Sequence, residues 1–344
     1  METLPLVSII IPCYNREKYI AQAIESALSQ DYANLEIVIS DNCSTDNTLN
    51  IIKDYTYDSR IKINQNDSNI GMIPNFRKAT EELAQGKYFI YVCSDDHLIN
   101  KSFISHAISL INSNDNVSVV WGKNVGMFEG SDKKIFYAMP NFNKELYRNG
   151  IDILLDYSYK TFWLGFGACL MNSDLVKKSL YNEDTTTNLE LLIEGNAMFI
   201  EQDSYIYRLH DNASNEFNYD SFIIEISKIE KIFIKAIRKF PERNAELIRW
   251  KEHVLIYLGK TSLKSLVVKN QADYRKTHVF FSKNYPFVIE KTSIDLSFLI
   301  RKIIISRIIS IPILFKITSF LFPNRRIFKI TSSNGGNYLN KNNN

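Results

Sequence analysis

The feature that most constrains the fold is an alternation, over the first 121 residues, of apolar β-branched runs with stretches of helical periodicity. VSIII (7–11) is uninterrupted and β-branched, as expected of a strand buried on both faces. Residues 17–30 then place their apolar side chains on one helical stripe. Further strands are predicted at 36–40, 61–64, 87–93 and 117–121, with helical patterns between them. This order predicts an α/β fold with a mostly parallel sheet and crossover helices on its faces.

The pattern changes twice along the chain. Beyond residue 122, glycines and aromatic residues predict irregular loops and an antiparallel addition that covers the edge of the sheet. Amphipathic helices are predicted from about 220, at 222–240, 243–269 and 272–284. We therefore expect a domain at 1–220 with halves at 1–121 and 122–220, a helical region at 221–330, and a disordered tail at 331–344.

Composition narrows the functional classes. The formal net charge of +3 argues against a nucleic-acid binder that depends on a diffuse basic surface. The four cysteines show neither CxxC pairing nor the density of a disulfide scaffold, so we expect a reducing, cytoplasmic compartment. The apolar run before Pro12 is short and follows an acidic residue, so no export signal is predicted.

The segment 298–326 is apolar and basic, and residues 298–330 carry seven Lys or Arg residues without an acidic one. Its longest charge-free stretches are eight residues, which is too short to span a bilayer. One interpretation is an interfacial anchor to anionic lipid on the inner face of the cell membrane. The other is a helix that packs on protein and leaves its basic residues solvated.

Polar, acidic residues follow three of the predicted strands, and ligands of open parallel sheets bind at these carboxyl ends. They are Pro12 to Arg16, Asp41 to Asp46, and Ser94 to Asp96. A single Asp after a strand is commonly a turn or helix cap. Adjacent carboxylates repel each other unless a cation or a proton lies between them, so Asp95 and Asp96 predict a metal site.

Four motifs in unbroken order make residues 6–125 resemble the inverting family 2 glycosyltransferases of GT-A fold. They are SIIIPCYNREKYIAQAIESALSQ (8–30), EIVISDNCSTDNT (36–48), NIGMIPNFRKA (69–79) and GKYFIYVCSDDHL (86–98). The sequence departs from the family at Asn42 and Cys43, where Asp-Gly is common, and we expect little consequence.

The resemblance implies the roles of the site residues. The residues expected to bind the nucleotide sugar are Pro12, Tyr14, Asn15, Asp41, Asn69 and Asp95. Asp41 is expected to hold the base, Asp95 the ribose, and Asp96 a Mg²⁺ or Mn²⁺ ion at the diphosphate. A hard cation suits this position because sugar transfer leaves two negative charges on the leaving group.

A segment in the second half, NEDTTTNLELLIEGNAMFIEQDSYIYRLHDNAS (182–214), resembles the family's order of a Glu-Asp pair, an apolar helix, a Gly and a Tyr-Arg-x-His ending. On this alignment Asp184 is the expected catalytic base, because inversion needs a base that accepts the acceptor hydroxyl's proton. Threonines and Asn188 replace the aromatic residues that usually follow the Glu-Asp pair. If the alignment contains a gap here, Glu190 is the nearest substitute for Asp184 as the base. Helix capping is the other interpretation of Asp184. His210 is the expected further metal or diphosphate ligand, with a structural role as the alternative.

Together these features predict a metal-dependent inverting glycosyltransferase that builds cell-surface polysaccharide such as O-antigen or capsule. The expected donor is a UDP-sugar, although dTDP or GDP would fit the same residues, and the acceptor is a glycan or a lipid-linked sugar. The alternative is a degenerate nucleotide-sugar-binding scaffold of an assembly complex. A processive synthase is disfavoured, because it would require membrane-spanning helices and none is predicted. The ELIRW sequence (246–250) differs from the QxxRW motif of such synthases at its first residue and sits within a helical pattern. The helical region could also form a homo-oligomer.

Overall fold

The computed structural model describes residues 4–131, 134–137, 147–158, 165–178, 184–209 and 219–292. Contacts divide these residues into two compact units, of which the first ends at Leu209 and the second, apart from Ser158, begins at Tyr219. The predicted anchor at 298–326 and tail at 331–344 lie outside the described residues. The predicted domain bounds stay predictions.

The first unit consists of strands and shorter helices. Its strands are Val7–Cys13 (β1), Leu35–Asp41 (β2), Ile61–Gln65 (β3), Tyr88–Tyr91 (β4), His97–Leu98 (β5), Val117–Phe128 (β6), Lys134–Phe136 (β7), Tyr147–Arg148 (β8), Cys169–Asn172 (β9) and Asn196–Leu209 (β10). Its helices are Ile20–Leu28 (α1), Thr48–Lys53 (α2), Met72–Lys78 (α3) with a π-helical turn at Ala79–Leu83, Phe103–Asn112 (α4), Gly150–Asp156 (α5), Ser173–Lys177 (α6) and Asp184–Glu194 (α7).

All strands join one sheet, whose order is β3-β2-β1-β4-β9-β6-β10-β5, with β7 beside β6 and β8 beside β10. The first four strands in this order are parallel neighbours. Side chains of β1 and of the apolar face of α1 have no solvent exposure at Ile9, Ile20 and Ile24, which belong to the core of this unit. The uninterrupted apolar strands and the stripe on α1 are what this burial requires. The predicted α/β class with a mostly parallel sheet is confirmed.

The antiparallel addition is not confined to the edge of the sheet, as we expected from the sequence. Strand β9 lies in the middle, where it pairs antiparallel with β4 on one side and with β6 on the other. Cys169, Leu170 and Met171 are fully buried there. This position was not predictable from local pattern because a strand of four residues is too short to show a periodicity that distinguishes an interior strand from a loop.

Strand β10 runs parallel to β6, and its register shifts twice between Ile200 and Tyr205. Register shifts of this kind bend a strand and redirect its side chains. After them, β10 also pairs antiparallel with β5, with Tyr205 opposite Leu98 and Ile206 opposite His97. The irregularity therefore brings the end of β10 beside the turn that carries Asp95 and Asp96.

The second unit is helical in its described residues. Its helices are Tyr219–Lys239 (α8), Asn244–Lys269 (α9) after a 3₁₀ turn at Pro241–Arg243, Gln271–Asn284 (α10) and Pro286–Thr292 (α11). The rings of Phe222 and Phe281 lie 5.2 Å apart. Trp250 of the ELIRW sequence is buried in α9, which accords with a packing role. Among the described helices, none is both long enough and apolar enough to cross a membrane.

Candidate active site

The predicted acidic pair lies just beyond β4, at the carboxyl edge of the sheet. A turn follows the strand, closed by a 2.9 Å hydrogen bond from the Asp96 N–H to the Cys93 carbonyl oxygen. Strands β1 and β2 run parallel to β4, so their ends at Cys13 and Asp41 lie at the same edge. The three polar strand ends thus occupy the place where ligands of parallel sheets bind.

Asp96 is almost completely buried, with 2% of its surface exposed. Its Oδ1 accepts a 2.8 Å hydrogen bond from the backbone N–H of Arg208, and its Oδ2 accepts a 3.0 Å hydrogen bond from the Tyr205 hydroxyl. Burial, and then the charge of Asp95, raise the pKa of Asp96 to about 8. A bound cation would offset both effects, because it favours the ionised carboxylate.

The Tyr205 hydroxyl connects the acidic turn to β10. It accepts a 3.1 Å hydrogen bond from the backbone N–H of Cys93 while it donates to Asp96. Burial and the charge of Asp96 raise the pKa of Tyr205 well above its usual value. The hydroxyl therefore keeps its proton, which it needs in order to donate to the carboxylate.

Arg208 forms the second connection between β10 and the turn. Its Nε donates a 2.8 Å hydrogen bond to the backbone carbonyl oxygen of Asp95. Its Nη2 donates to Oε1 of Gln22 at 2.6 Å, and the guanidinium carbon lies 4.8 Å from the ring centroid of Tyr19. This arrangement places a permanent positive charge beside the acidic pair.

Asp95 is less buried than Asp96 and pairs with a different arginine. Nε of Arg16 lies 3.1 Å from Asp95 Oδ2, and the two side chains are 30% and 21% exposed. Arg16 follows β1, so this ion pair joins the first polar strand end to the third. The contact spans 79 residues of sequence.

The loop after β1 and the loop after β2 are held together by short polar side chains. The backbone N–H of Asn15 donates to Oγ of Ser44 at 2.9 Å, and Oδ1 of Asn15 accepts from the Thr45 N–H at 2.8 Å. Asp41 has no exposed surface, and it accepts hydrogen bonds from both the backbone N–H and the hydroxyl of Ser44. Asn15 and Asp41 thus shape this part of the site by fixing the two loops against each other.

Asn42, where the resemblance led us to expect little consequence, organises the loop after β3. Its amide nitrogen donates to Oδ1 of Asn69 at 2.8 Å and to the Gly71 carbonyl oxygen at 3.1 Å. Its amide oxygen accepts from the Ile70 N–H and from the side chain of Asn66, both at 3.0 Å. An Asp at this position could not donate the first two hydrogen bonds. Asn69 is therefore held near the end of β2 by a residue that the sequence comparison treated as neutral.

Two other predicted binding residues differ in exposure. Tyr14 follows β1 and is 39% exposed, so its ring is available to a ligand. Pro12 is buried inside β1, opposite Ser40 of β2. Its missing N–H is tolerated because the ladder between β1 and β4 ends at Ile10 and Tyr91. Pro12 can shape the pocket through the backbone rather than through an exposed ring.

The predicted base region starts at α7. Asp184 is the first residue of this helix, and Glu190 lies within it and is buried. His210 lies outside the described residues. The structure therefore places Asp41, Asp95 and Asp96 at the same edge of the sheet. The roles of all the predicted site residues, with Asp184 and His210 among them, stay predictions.

The polar residues that follow Asp184 have a packing role in at least one case. Asn188 has no exposed surface, and its Oδ1 accepts hydrogen bonds from Nε1 of Trp121 at 3.1 Å and from Sγ of Cys169 at 3.3 Å. These contacts join α7 to β6 and β9. The departure from the family's aromatic residues therefore comes with buried hydrogen bonds in their place.

The acidic pair suits a divalent cation in its chemistry. Carboxylate oxygens are the ligands preferred by Mg²⁺ and Mn²⁺, and the buried Asp96 would gain from a positive charge. Within the described residues, no group of three or more His, Cys, Asp or Glu side chains is arranged to hold a metal. A cation here would thus need further ligands, such as phosphate oxygens, water or His210.

Sequence reasoning missed the contribution of Arg16, Tyr205 and Arg208. Arg16 lies within the first motif and Arg208 within the Tyr-Arg-x-His ending, but their partners are distant in sequence. The usable signal was the Tyr-Arg-x-His ending, which contains Arg208 and begins two residues after Tyr205. Their contacts with the acidic turn depend on the irregular register of β10, which the sequence does not display.

Comparisons with known proteins support the family resemblance found in the sequence. The sequence profile of Glycosyl transferase family 2 matches residues 8–170. An uncharacterised glycosyltransferase of Haemophilus influenzae is 37% identical over 121 residues, which cover 35% of this chain and 37% of that protein. The poly(ribitol-phosphate) β-N-acetylglucosaminyltransferase TarS of Staphylococcus aureus is 37% identical over 106 residues, which cover 30% of this chain and 18% of TarS. The chain thus matches well under half the length of these two relatives.

A solved structure extends the similarity of fold. The crystal structure of S. aureus TarS residues 1–349 in complex with UDP-GlcNAc superimposes with a TM-score of 0.63 and 21% sequence identity. The match covers 79% of this chain and 78% of that one. At this identity the likeness supports the fold, which is the GT-A arrangement predicted from the sequence.

Proposed function

Because residues 8–170 match the sequence profile of glycosyl transferase family 2, we propose that this chain transfers a sugar from a nucleoside diphosphate donor to a glycan or lipid-linked acceptor. The product would be a cell-surface polysaccharide such as O-antigen or capsule. The names of two relatives support a cell-surface product. TarS is named for glycosylating poly(ribitol-phosphate), and TuaG of Bacillus subtilis for teichuronic acid biosynthesis.

The observation that carries the proposal is the buried Asp96 beside the partly exposed Asp95. Burial and the charge of Asp95 raise the pKa of Asp96, so the fold keeps an acidic group in a place that disfavours its charge. Such an arrangement has a cost in stability and is typical of functional sites. A buried carboxyl group of this kind is useful where it binds a cation that also contacts the charged diphosphate of the donor.

The residues would divide the work at the donor as follows. Asp96, with His210, would hold a Mg²⁺ or Mn²⁺ ion, which when bound offsets negative charge on the nucleoside diphosphate leaving group. Asp95 would accept a hydrogen bond from the ribose. Tyr14, Asn15, Asp41 and Asn69 would line the nucleoside part of the pocket. Pro12 would support it from inside β1.

We assign the proton transfer to Asp184 at the start of α7. Inversion requires attack on the face of the sugar opposite the leaving group, so the base must accept the proton of the acceptor hydroxyl on that face. A carboxylate is suited to this task because it is ionised at neutral pH. Glu190 is a weaker candidate because it is buried within α7.

UDP is the donor nucleotide we propose, because TarS, a sequence relative, was crystallised with UDP-GlcNAc. A cytoplasmic protein would meet this donor where nucleotide sugars are made. Peripheral contact with the membrane through 298–326 would bring the site to lipid-linked acceptors.

The experiment is turnover of a panel of UDP-, dTDP- and GDP-sugars by the purified chain, with and without Mn²⁺, using hydrolysis and lipid-linked acceptors as readouts. We expect metal-dependent turnover of one donor, with Asp184→Asn losing turnover but keeping donor binding. Binding of no donor under any condition would refute the proposal. Binding without turnover, with every acceptor, would favour a nucleotide-sugar-binding scaffold.

A further inference from the structure

Arg16 is a partly exposed charged group that contacts the acidic pair, and no role has yet been assigned to it. Its backbone N–H donates a 2.7 Å hydrogen bond to Oγ1 of Thr48, which fixes the backbone of Arg16 against the start of α2. Its side chain reaches Asp95 through Nε at 3.1 Å. The residue therefore connects the loop after β1 with the turn after β4.

The guanidinium group is fixed on two sides and open on a third. Its Nη1 donates to the carbonyl oxygens of Tyr14 at 3.2 Å and of Asn15 at 3.1 Å. Within the part of the chain that the structure describes, its Nη2 donates no hydrogen bond. The side chain is 30% exposed, so two N–H groups on a permanently charged, oriented fork remain available to a ligand.

On the proposed function, the diphosphate of the donor must reach Asp96, because a shared cation would join them. Arg16 contacts the residue next to Asp96, so its open N–H groups lie close to the same place. A planar guanidinium recognises phosphate oxygens better than a point charge does. The pair with Asp95 orients the guanidinium before a donor arrives, which lowers the cost of ordering it on binding.

We propose that Arg16 is a ligand of the donor's diphosphate, oriented in advance by Asp95 and by the carbonyl oxygens of Tyr14 and Asn15. This inference rests on the proposed function. Arg16 supplies a positive charge that does not depend on the metal, so donor binding retains a metal-independent part. Asp95 then has two tasks, since it orients Arg16 through Oδ2 and is also the residue to which we assign the contact with the ribose.

The test is the dissociation constant of UDP, measured by titration calorimetry with Mn²⁺ for Arg16→Gln, Asp95→Asn and the double variant. Arg60→Gln is the matched control, because Arg60 is also paired with an aspartate, Asp58, at similar exposure of both side chains (31% and 21%). We expect Arg16→Gln to weaken UDP binding about tenfold or more, both alone and in the Asp95→Asn background, as for a lost charge-assisted contact. The dissociation constant of UDP for Arg16→Lys should lie between those for the parent protein and Arg16→Gln. Arg60→Gln should bind UDP as the parent protein does.

Two results would overturn the inference while leaving the proposed function standing. One is parent-like UDP binding by Arg16→Gln. The other is an effect of Arg16→Gln that vanishes in the Asp95→Asn background, which would mean that Arg16 acts only through Asp95. A parent protein that binds neither UDP nor GDP nor dTDP would instead overturn the proposed function and this inference together. Circular dichroism of each variant, with Arg16→Lys as the milder change, separates lost binding from lost folding.

Discussion

The hydroxyl of Tyr205 donates a 3.0 Å hydrogen bond to Oδ2 of Asp96, from a residue 109 positions further along the chain. The same hydroxyl accepts a hydrogen bond from the backbone N–H of Cys93. One buried group therefore satisfies two partners on the acidic turn and fixes the orientation of the carboxylate. The end of β10 is thus part of the candidate active site as well as of the sheet.

Removal of this hydroxyl by Tyr205→Phe should destabilise the protein and weaken metal-assisted UDP binding. The Cys93 N–H and Asp96 Oδ2 would each lose a partner in a buried place, so we expect a loss of about 1–3 kcal/mol in the free energy of unfolding. Urea unfolding measures the first effect and calorimetry the second. Tyr32→Phe is the control, because the Tyr32 hydroxyl donates to the Pro5 carbonyl oxygen away from the acidic turn. Equal effects of both variants on UDP binding would contradict the role of Tyr205.

Asp96 should make the metal-free protein less stable as the pH rises. Its pKa is about 8 in the folded protein and near 4 in an unfolded chain. Between these values the folded state holds a proton that the unfolded state has lost, so the free energy of unfolding falls with rising pH. Asp96→Asn cannot titrate, and we expect its stability relative to the parent to increase by a few kcal/mol from pH 5 to pH 8, since one pKa unit corresponds to about 1.4 kcal/mol.

Urea unfolding in EDTA at pH 5, 6.5 and 8 checks this prediction. A difference between parent and Asp96→Asn that stays constant over this range would show that the carboxyl is not perturbed by its burial.

Cys43 occupies a backbone conformation that suits glycine. Its φ angle is +62°, in the left-handed region, where the family resemblance leads one to expect Gly. Cys43→Gly should therefore stabilise the protein by about 0.5–1 kcal/mol, after the greater freedom of glycine in the unfolded chain is taken into account. Cys43→Ala is the control, because it removes the thiol and keeps the strain. Thermal unfolding that shows no gain for Cys43→Gly over Cys43→Ala would contradict this interpretation.

Asn42→Asp should loosen the loop at residues 69–71. A carboxylate cannot donate to Asn69 Oδ1 or to the Gly71 carbonyl oxygen, and it would leave these acceptors opposite a negative charge. We expect faster hydrogen exchange at the Ile70 amide and a KM for the donor raised severalfold, with a smaller change in kcat. Asn50→Asp on the exposed face of α2 is the matched control. Unchanged exchange at Ile70 would refute the role of Asn42.

The sequence predicted the parts of the fold that depend on local pattern. Strand β1 and helix α1 follow from an uninterrupted apolar run and an amphipathic stripe, and both are buried as those patterns require. Strand β9 could not be placed in the middle of the sheet, because its pairing with β4 and β6 is decided by partners far away in sequence.

The candidate site shows the same division. The sequence predicted a site at Asp95 and Asp96, because two adjacent acidic residues after an apolar strand form a local pattern. The contacts of Tyr205 and Arg208 with that turn arise from the shifted register of β10, which no short pattern encodes. Asn42 shows a further limit, since only the structure reveals that its amide donates two hydrogen bonds to the loop after β3.

The most direct test of the central claim is the effect of Mn²⁺ on UDP binding, measured by calorimetry for the parent protein and for Asp96→Ala. Asp203→Asn is the control, because Asp203 forms an exposed ion pair with Lys123 in the same unit. We predict that Mn²⁺ tightens UDP binding by the parent protein and by Asp203→Asn, and that Asp96→Ala loses this gain. An equal gain from Mn²⁺ in Asp96→Ala would contradict the assignment of the metal and the donor diphosphate to the acidic turn.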